Sequence, residues 1–271
     1  DGAQIVFFNH HKSLKKHPAI VQKSDGAANY TTTDLATLEH RQNSWQPSEV
    51  IYVTDGRQQL HFQQLFELYN RWKPSHGMKL NHVWFGAILG EDGRPFKTRS
   101  GEIIRLSGLL NEAEQRAFDA VSEKNPDLPE EERRDIACVV GIGAIKYADL
   151  SGNRQSDYVF NWDTMLALVG NTAPYLLYAF TRIRSIFRKL GDESLTQPES
   201  FALSHAEELT LAKHLLRFGL VLELVIDECR PNYLCNYLYE LAGHFASFYE
   251  NCPVLQAEGD IRTQRLALCD L

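Results

Sequence analysis

The pattern of apolar positions divides the chain in two. Residues 1–105 mix short apolar runs with longer amphipathic stretches, whereas from about residue 162 onward the period is helical throughout. Val50-Ile51-Tyr52-Val53 is a short, β-branched-rich run closed by Thr54-Asp55-Gly56, which predicts a buried parallel strand. A helix is predicted from Gln58 to Trp72, with Leu60, Leu65 and Leu68 among its apolar positions, and a second strand over 82–89. Strand, helix, strand in this order implies a right-handed crossover and an open α/β sheet. In such sheets ligands sit beyond the carboxyl ends of the strands, where Asp55-Gly56-Arg57-Gln58 and the 90–101 loop fall. Gln4-Ile5-Val6-Phe7-Phe8 reads as a further strand, already under way where the chain opens.

Residues 106–160 are transitional. Leu109 to Lys124 is predicted helical, and Pro129-Glu130-Glu131-Glu132 reads as the start of another helix, where carboxylates favour the dipole. The run Cys138-Val139-Val140-Gly141-Ile142-Gly143-Ala144 lacks the spacing of a phosphate loop, so its glycines predict close helix packing. Thr172-Ala173-Pro174 starts a helix with proline in its first turn, and Leu176, Phe180, Ile183, Phe187 and Leu190 form its apolar face. Further helices are predicted from about Ser204 to Cys229 and from Asn232 to Tyr249, with a loop over 193–200. The fold class expected is therefore α/β followed by an all-α, antiparallel helical bundle.

Composition narrows the functions open to such a chain. At 271 residues, 44% hydrophobic and 23% charged, it has ample material for a core. No apolar run approaches the roughly 18 residues of a membrane span. The five cysteines are scattered with no CxxC pair, which suits reduced thiols in a cytoplasm. His10-His11 is the one adjacent histidine pair, with no cysteine near it, so no metal is expected. A net charge of −7 argues against indiscriminate nucleic-acid binding. It leaves room for a specific RNA partner, because the basic residues are local. One cluster is Lys12, Lys15 and Lys16, a second is Arg182, Arg184, Arg188 and Lys189, and a third runs from Arg94 to Arg105. The chain opens without Met, which reads as a piece of something longer.

Two segments carry candidate chemistry. Phe96-Lys97-Thr98-Arg99-Ser100-Gly101 is a short, doubly cationic, glycine-closed loop leaving a strand. Lys97 and Arg99 can follow the charge that develops on a polyphosphate, while Gly93 and Gly101 let the backbone turn. The alternative is a basic surface hairpin. In Lys23–Thr37 a Ser-Asp-Gly turn feeds a helix entered through threonines, good capping residues. Tyr30 and Asp34 then share one face, four residues apart, where a carboxylate and a phenol can hold a planar guanidinium. The alternative there is a capping Asp beside a core Tyr.

Six segments, in order, cover the chain: KSDGAANYTTTDLATLEHR (23–41), YVTDGRQQLHF (52–62), HVWFGAILGEDGRPFKTRSGEIIRL (82–106), GIGAIKYADLSGNRQSDYVFNWDTML (141–166), GNTAPYLLYAFTRI (170–183) and NYLYELAGHFASFYENCPVL (236–255). Together they resemble arginyl-tRNA synthetase, a class I aminoacyl-tRNA synthetase, in its bacterial form. The resemblance implies that residues 1–105 are the second half of a Rossmann-like catalytic domain, 106–160 a connecting region contacting the tRNA stem, and 161–271 a helical anticodon-binding domain. It places Tyr30 and Asp34 in the pocket for the arginine side chain and Gln58 on the substrate arginine. His61 and the backbone at Phe85 and Gly86 fall where the family places adenosine. The loop over 96–101 corresponds to the KMSKS motif, with Thr98 in place of the usual second lysine and Lys97 and Arg99 flanking it. These three are the implied ATP contacts of the loop, and Lys97 and Arg99 its catalytic cations.

The implied reaction has two steps, amino-acid activation by Mg-ATP and transfer to the terminal ribose of tRNA(Arg). Neither needs a protein nucleophile, so positioning and charge stabilisation carry the rate. ATP with Mg2+ enters as substrate, no tightly bound cofactor is implied, and the partners are tRNA(Arg), L-arginine and ATP, with no DNA and no membrane. A cytoplasmic monomer is expected. Aromatic platforms for a splayed anticodon loop are offered by Tyr175, Tyr178, Tyr233, Tyr237, Tyr239 and Tyr249. Arg182, Arg184 and Arg188 are candidates for phosphate contacts, and Tyr233 and Asn236 for reading bases. A HIGH-type motif is absent, so the chain as given is not expected to aminoacylate by itself. A non-catalytic tRNA-binding or assembly module is the alternative reading.

Overall fold

The computed structural model describes residues 2–94, 105–191 and 196–271. The chain folds as two compact units, Asp1–Ala87 with Gln155–Asp157, and Ile88–Arg154 with Tyr158–Leu271. The boundaries expected at 105 and 160 both fall within the second of these.

In the first unit, β1 (Gln4–Val6) pairs antiparallel with β2 (Ala19–Gln22), and α1 (Tyr30–Trp45) follows. β3 (Glu49–Asp55), a single 3-10 turn (Gly56–Gln58), α2 (Gln59–Trp72) and β4 (Lys79–Phe85) complete it. β3 and β4 are parallel, in register from Glu49↔Lys79 to Asp55↔Phe85, as the strand-helix-strand pattern predicts. α2 forms because Phe62, Leu65, Leu68 and Tyr69 recur at helical spacing and are all buried. Leu60 lies off that face and is exposed. One core joins Leu38 of α1, Val50 of β3, Phe62, Leu65 and Tyr69 of α2, and Met78. A second gathers Phe8, Leu14, Ala19 and Leu68.

Two expectations for the strands are corrected. β3 is buried on one face only: Val50 faces the helices, but Ile51 is 47% and Val53 64% exposed. Successive strand side chains point to opposite faces, and α1 and α2 both pack on the side of Val50, Tyr52 and Leu80. The strand expected over 82–89 is interrupted at Gly86-Ala87. A Cβ on Gly86 would stand 2.5 Å from the Ser156 carbonyl oxygen, and the Ala87 N–H donates to the Asp157 carboxylate at 2.6 Å. A glycine permits that close approach, and the chain leaves the ladder to make it.

In the second unit the chain resumes as β5 (Ile88–Leu89), which pairs in parallel with β6 (Tyr158–Val159). Between them lie α3 (Leu106–Lys124) and α4 (Glu130–Ser151), the latter opening on Glu130, Glu131 and Glu132 as read from the sequence. Of the two glycines in 138–144, Gly141 packs helices closely. A Cβ on Gly141 would meet the Ala113 carbonyl at 2.7 Å, and Ala113, Ala117, Ala137 and Ala144 are buried around it.

α5 (Trp162–Met165) leads to α6 (Ala173–Leu190), where Thr172 Oγ1 accepts from the Tyr175 N–H and Pro174 occupies the first turn. The helix expected over 204–229 is two, α7 (Ala206–Leu215) and α8 (Phe218–Glu228). The Arg217 N–H reaches back three residues to the His214 carbonyl at 3.0 Å, tightening the last turn of α7. α9 (Asn232–Asn251) and α10 (Gly259–Asp270) follow, α10 having no counterpart in the sequence reading. Ile186, Leu190, Leu211, Phe245, Phe248, Cys252, Val254, Leu266, Leu268 and Cys269 form the core of these helices. No described helix is long and apolar enough to cross a membrane.

Candidate functional site

The amino end of α1 is tied to β2 by its cap. The capping residue is Asn29, two before the threonines: its Oδ1 accepts from the Thr32 N–H at 3.1 Å, and its Nδ2 donates to the Ile20 carbonyl at 2.7 Å. Thr32 Oγ1 closes the reciprocal half of the box and also donates to the Val21 carbonyl. Tyr30 therefore opens the helix, 66% exposed, and Asp34 stands one turn later.

The structure brings His61 of α2 to this pair. His61 Nε2 lies 2.7 Å from Asp34 Oδ2, and its ring meets that of Tyr30 edge-on, centroids 4.8 Å apart. The Asp34 side chain keeps 37% of its surface exposed and His61 keeps 13%. Behind them His61 touches Phe62 at 5.1 Å, Phe62 touches His82 at 4.4 Å, and His82 Nε2 is 2.8 Å from Thr54 Oγ1. Tyr52 packs on Phe62 at 4.7 Å, with the Arg41 guanidinium 5.2 Å from its ring centre. Burial pushes the Tyr52 hydroxyl up, and Arg41 opposes it. The buried His61 Nδ1 has no hydrogen-bond partner among the described residues.

Gln58 is exposed at the end of the 3-10 turn after β3. Asp55 caps that turn, accepting from the Arg57 backbone N–H and from Arg57 Nε, each at 2.8 Å. Those bonds hold its carboxyl below the usual range. Asp55 pairs with Phe85, the last residue of β4, so Gln58 and Gly86 follow the carboxyl ends of the two parallel strands and Phe85 closes one of them. That is the position an open α/β sheet gives to ligands. Lys97, Thr98 and Arg99 lie outside the described residues.

In the helices, Arg182 sits between two rings. Its guanidinium is 4.5 Å from the Tyr178 centroid and 5.4 Å from that of Tyr249, and Nη2 donates to the Tyr178 hydroxyl at 2.8 Å. Arg184 and Arg188 are exposed on the same helix. Tyr233 donates to the Glu228 carboxylate at 2.9 Å. Asn236 is exposed, and its Oδ1 accepts from Asn171 Nδ2 at 3.2 Å. His205, Glu207 and Cys252 bring donor atoms within 4.8 Å of one another. The positive amino end of α7, where His205 and Glu207 stand, disfavours a cation among them.

Residues 1–162 match the family model of tRNA synthetases class I (R), catalytic domain. The chain belongs to this synthetase family. Residues 176–271 match the DALR anticodon binding domain, so α7 to α10 and most of α6 form that module of the synthetase. An arginine-tRNA ligase of Chromobacterium violaceum is 50% identical over 275 residues, covering 100% of this chain and 48% of that protein. One from Laribacter hongkongensis is 50% identical over 272 residues, covering 99% and 47%. Among solved structures, the arginyl-tRNA synthetase of Plasmodium falciparum superposes with a TM-score of 0.84 at 30% identity, over 99% of this chain and 45% of that one. That of Thermus thermophilus gives 0.86 at 25%, over 99% and 50%. The synthetase chain thus spans about half the length of the curated relatives it matches.

The synthetase residues that sequence reasoning left apart are instructive. The resemblance set His61 with adenosine; the structure also joins it to Asp34, 27 residues away, and to the ring of Tyr30. No local spacing signals that pairing. The Arg182 sandwich was half visible, because Tyr178 precedes Arg182 by one helical turn, but Tyr249 arrives from α9.

Proposed function

We propose that the chain is the carboxyl-terminal half of an arginine-tRNA ligase, a cytoplasmic monomer that activates L-arginine with Mg-ATP and transfers it to tRNA(Arg). Asp34 receives the guanidinium, Tyr30 flanks it, and Gln58 bonds the rest of the amino acid. Phe85 and Gly86 offer backbone to the adenosine, and Lys97, Thr98 and Arg99 accompany the leaving pyrophosphate. The substrate carboxylate attacks the α-phosphate, releasing pyrophosphate, and the tRNA ribose hydroxyl then displaces AMP from the adenylate. The magnesium ion travels with the nucleotide, held by phosphate oxygens and water. Arg182, Arg184 and Arg188 position the tRNA backbone, and Tyr233 and Asn236 approach its bases.

One observation carries the amino-acid assignment. Asp34 presents a carboxylate with one oxygen fixed by His61 and no hydrogen bond to Oδ1 among the described residues, beside an exposed tyrosine on the same helical face. A planar cation that donates paired N–H groups matches such a site better than a neutral side chain. The test is ATP–pyrophosphate exchange by this chain joined to the amino-terminal half its relatives carry. Exchange should depend on arginine and fail with citrulline, which keeps the shape and loses the charge. Equal exchange with citrulline would sink the assignment of Asp34.

A further inference from the structure

An exposed aspartate inside a helix has free rotation about two bonds, and a recognition carboxylate must be held near one orientation to receive a planar cation. Nothing on α1 does this for Asp34. The restraint comes from α2, where His61 is itself confined by the Tyr30 edge at 4.8 Å and by Phe62 at 5.1 Å. A carboxylate only accepts, so the 2.7 Å contact requires the ring proton on Nε2. The Nε2–H therefore donates to Oδ2, and the other carboxylate oxygen is left without a hydrogen bond among the described residues.

We propose that His61 is a positioning residue for arginine selection: it fixes Asp34 Oδ2 so that the remaining carboxylate edge faces the guanidinium. Tyr30 covers the same ring, so the three side chains form one recognition unit built from two helices. This rests on the reading of Asp34 as the guanidinium carboxylate.

The experiment uses the chain joined to its relatives' amino-terminal half, with pyrophosphate exchange and melting measured for each variant. His61→Phe keeps an aromatic ring against Tyr30 and Phe62 but removes the donor. His61→Gln keeps an N–H at similar reach. His61→Phe should raise the arginine KM about tenfold, the scale of a lost charge-assisted hydrogen bond, and leave the ATP KM and kcat within about twofold. His61→Gln should recover most of the loss. Adding His61→Phe to Asp34→Asn should cost nothing further, because the coupled partner is already gone. A raised ATP KM, equal losses in Phe and Gln variants, or additive losses in the double variant would overturn the proposal. If Asp34→Asn itself leaves the arginine KM unchanged, the pocket reading fails, a different result from a silent His61→Phe beside a costly Asp34→Asn.

Discussion

Glu208 and Arg265 form an ion pair inside the helical unit, Nε to Oε1 at 2.7 Å, with 3% and 6% of their surfaces exposed. The second carboxylate oxygen accepts from the Ser204 and His205 backbone N–H groups, each at 3.1 Å, and Arg265 Nη1 donates to the Pro253 carbonyl at 2.9 Å. The pair thus ties the start of α7 to α10 and to the turn after α9.

Breaking that pair should be expensive. Glu208→Gln leaves a buried guanidinium without its anion and should destabilise the helical unit by about 3–5 kcal/mol, read from urea melts. Burial alone pushes the Glu208 carboxyl up, but the bonds from Arg265, His205 and Ser204 outweigh it and leave it below the ordinary value. A carboxyl depressed on folding stabilises at pH above its unfolded value, about 4.3, and that stability is lost as pH falls through the folded value. Melting of the parent should therefore be flat in this respect at neutral pH and fall below about pH 4. The Glu208→Gln variant should show a shallower acid limb.

The two glycines of α4 should respond in opposite directions. Gly141→Ala drives a methyl to within 2.7 Å of the Ala113 carbonyl, so α3 and α4 must separate, at about 1–3 kcal/mol. At Gly143 the nearest atom to an added Cβ is that of Ala173 at 3.9 Å, an ordinary contact. Gly143→Ala should stabilise by about 0.5–1 kcal/mol through helix propensity. Equal melting temperatures for the two variants would contradict the close seam.

Those glycines show what a sequence can disclose. Their spacing excluded a phosphate loop and predicted close packing, but only the Ala113 backbone tells which of the two is indispensable. Tyr30 and Asp34 were legible as a pair because helical geometry alone sets residues four apart on one face. His61 was not, since its partnership depends on how α1 packs against α2. α10 escaped notice because Arg265–Cys269 are buried consecutively, Arg265 among them, and such a run has no polar face to reveal its period. The end of β4 at Phe85 was hidden for a related reason: it is decided by residues 156 and 157, far along the chain.

Left-handed helix ends offer a separate test. Gln46 closes α1 at φ 46°, ψ 48°, and Cys229 closes α8 at φ 50°, ψ 46°. A Cβ is strained there, and glycine is the residue suited to it. Gln46→Gly and Cys229→Gly should each raise stability by about 0.5–1 kcal/mol in denaturant melts, the relief exceeding the added chain entropy.

The open face of β3 bears on behaviour in solution. Ile51 and Val53, 47% and 64% exposed, form an apolar pair on a strand with one unpaired edge among the described residues. Such edges template association. The chain by itself should self-associate with rising concentration, and Val53→Lys should suppress this in light scattering while leaving the helical unit's melt unchanged. Identical scattering would place the association elsewhere.

Arg182 supplies the sharpest test of tRNA positioning. Its guanidinium is pre-set by the Tyr178 hydroxyl at 2.8 Å and by the faces of Tyr178 and Tyr249, so little side-chain freedom remains to be lost on binding. A cation held in this way on an exposed helix suits a phosphate, and a phosphate contact positions RNA without reading it. Arg182→Ala should therefore weaken binding of native and anticodon-swapped arginine tRNA by the same factor, and lower the slope of log K against log salt by roughly 0.7–0.9. Arg182→Lys should restore the slope but not the full affinity, because an ammonium cannot span both rings as a guanidinium does. A loss confined to the native anticodon would instead assign Arg182, with its two tyrosines, to base recognition.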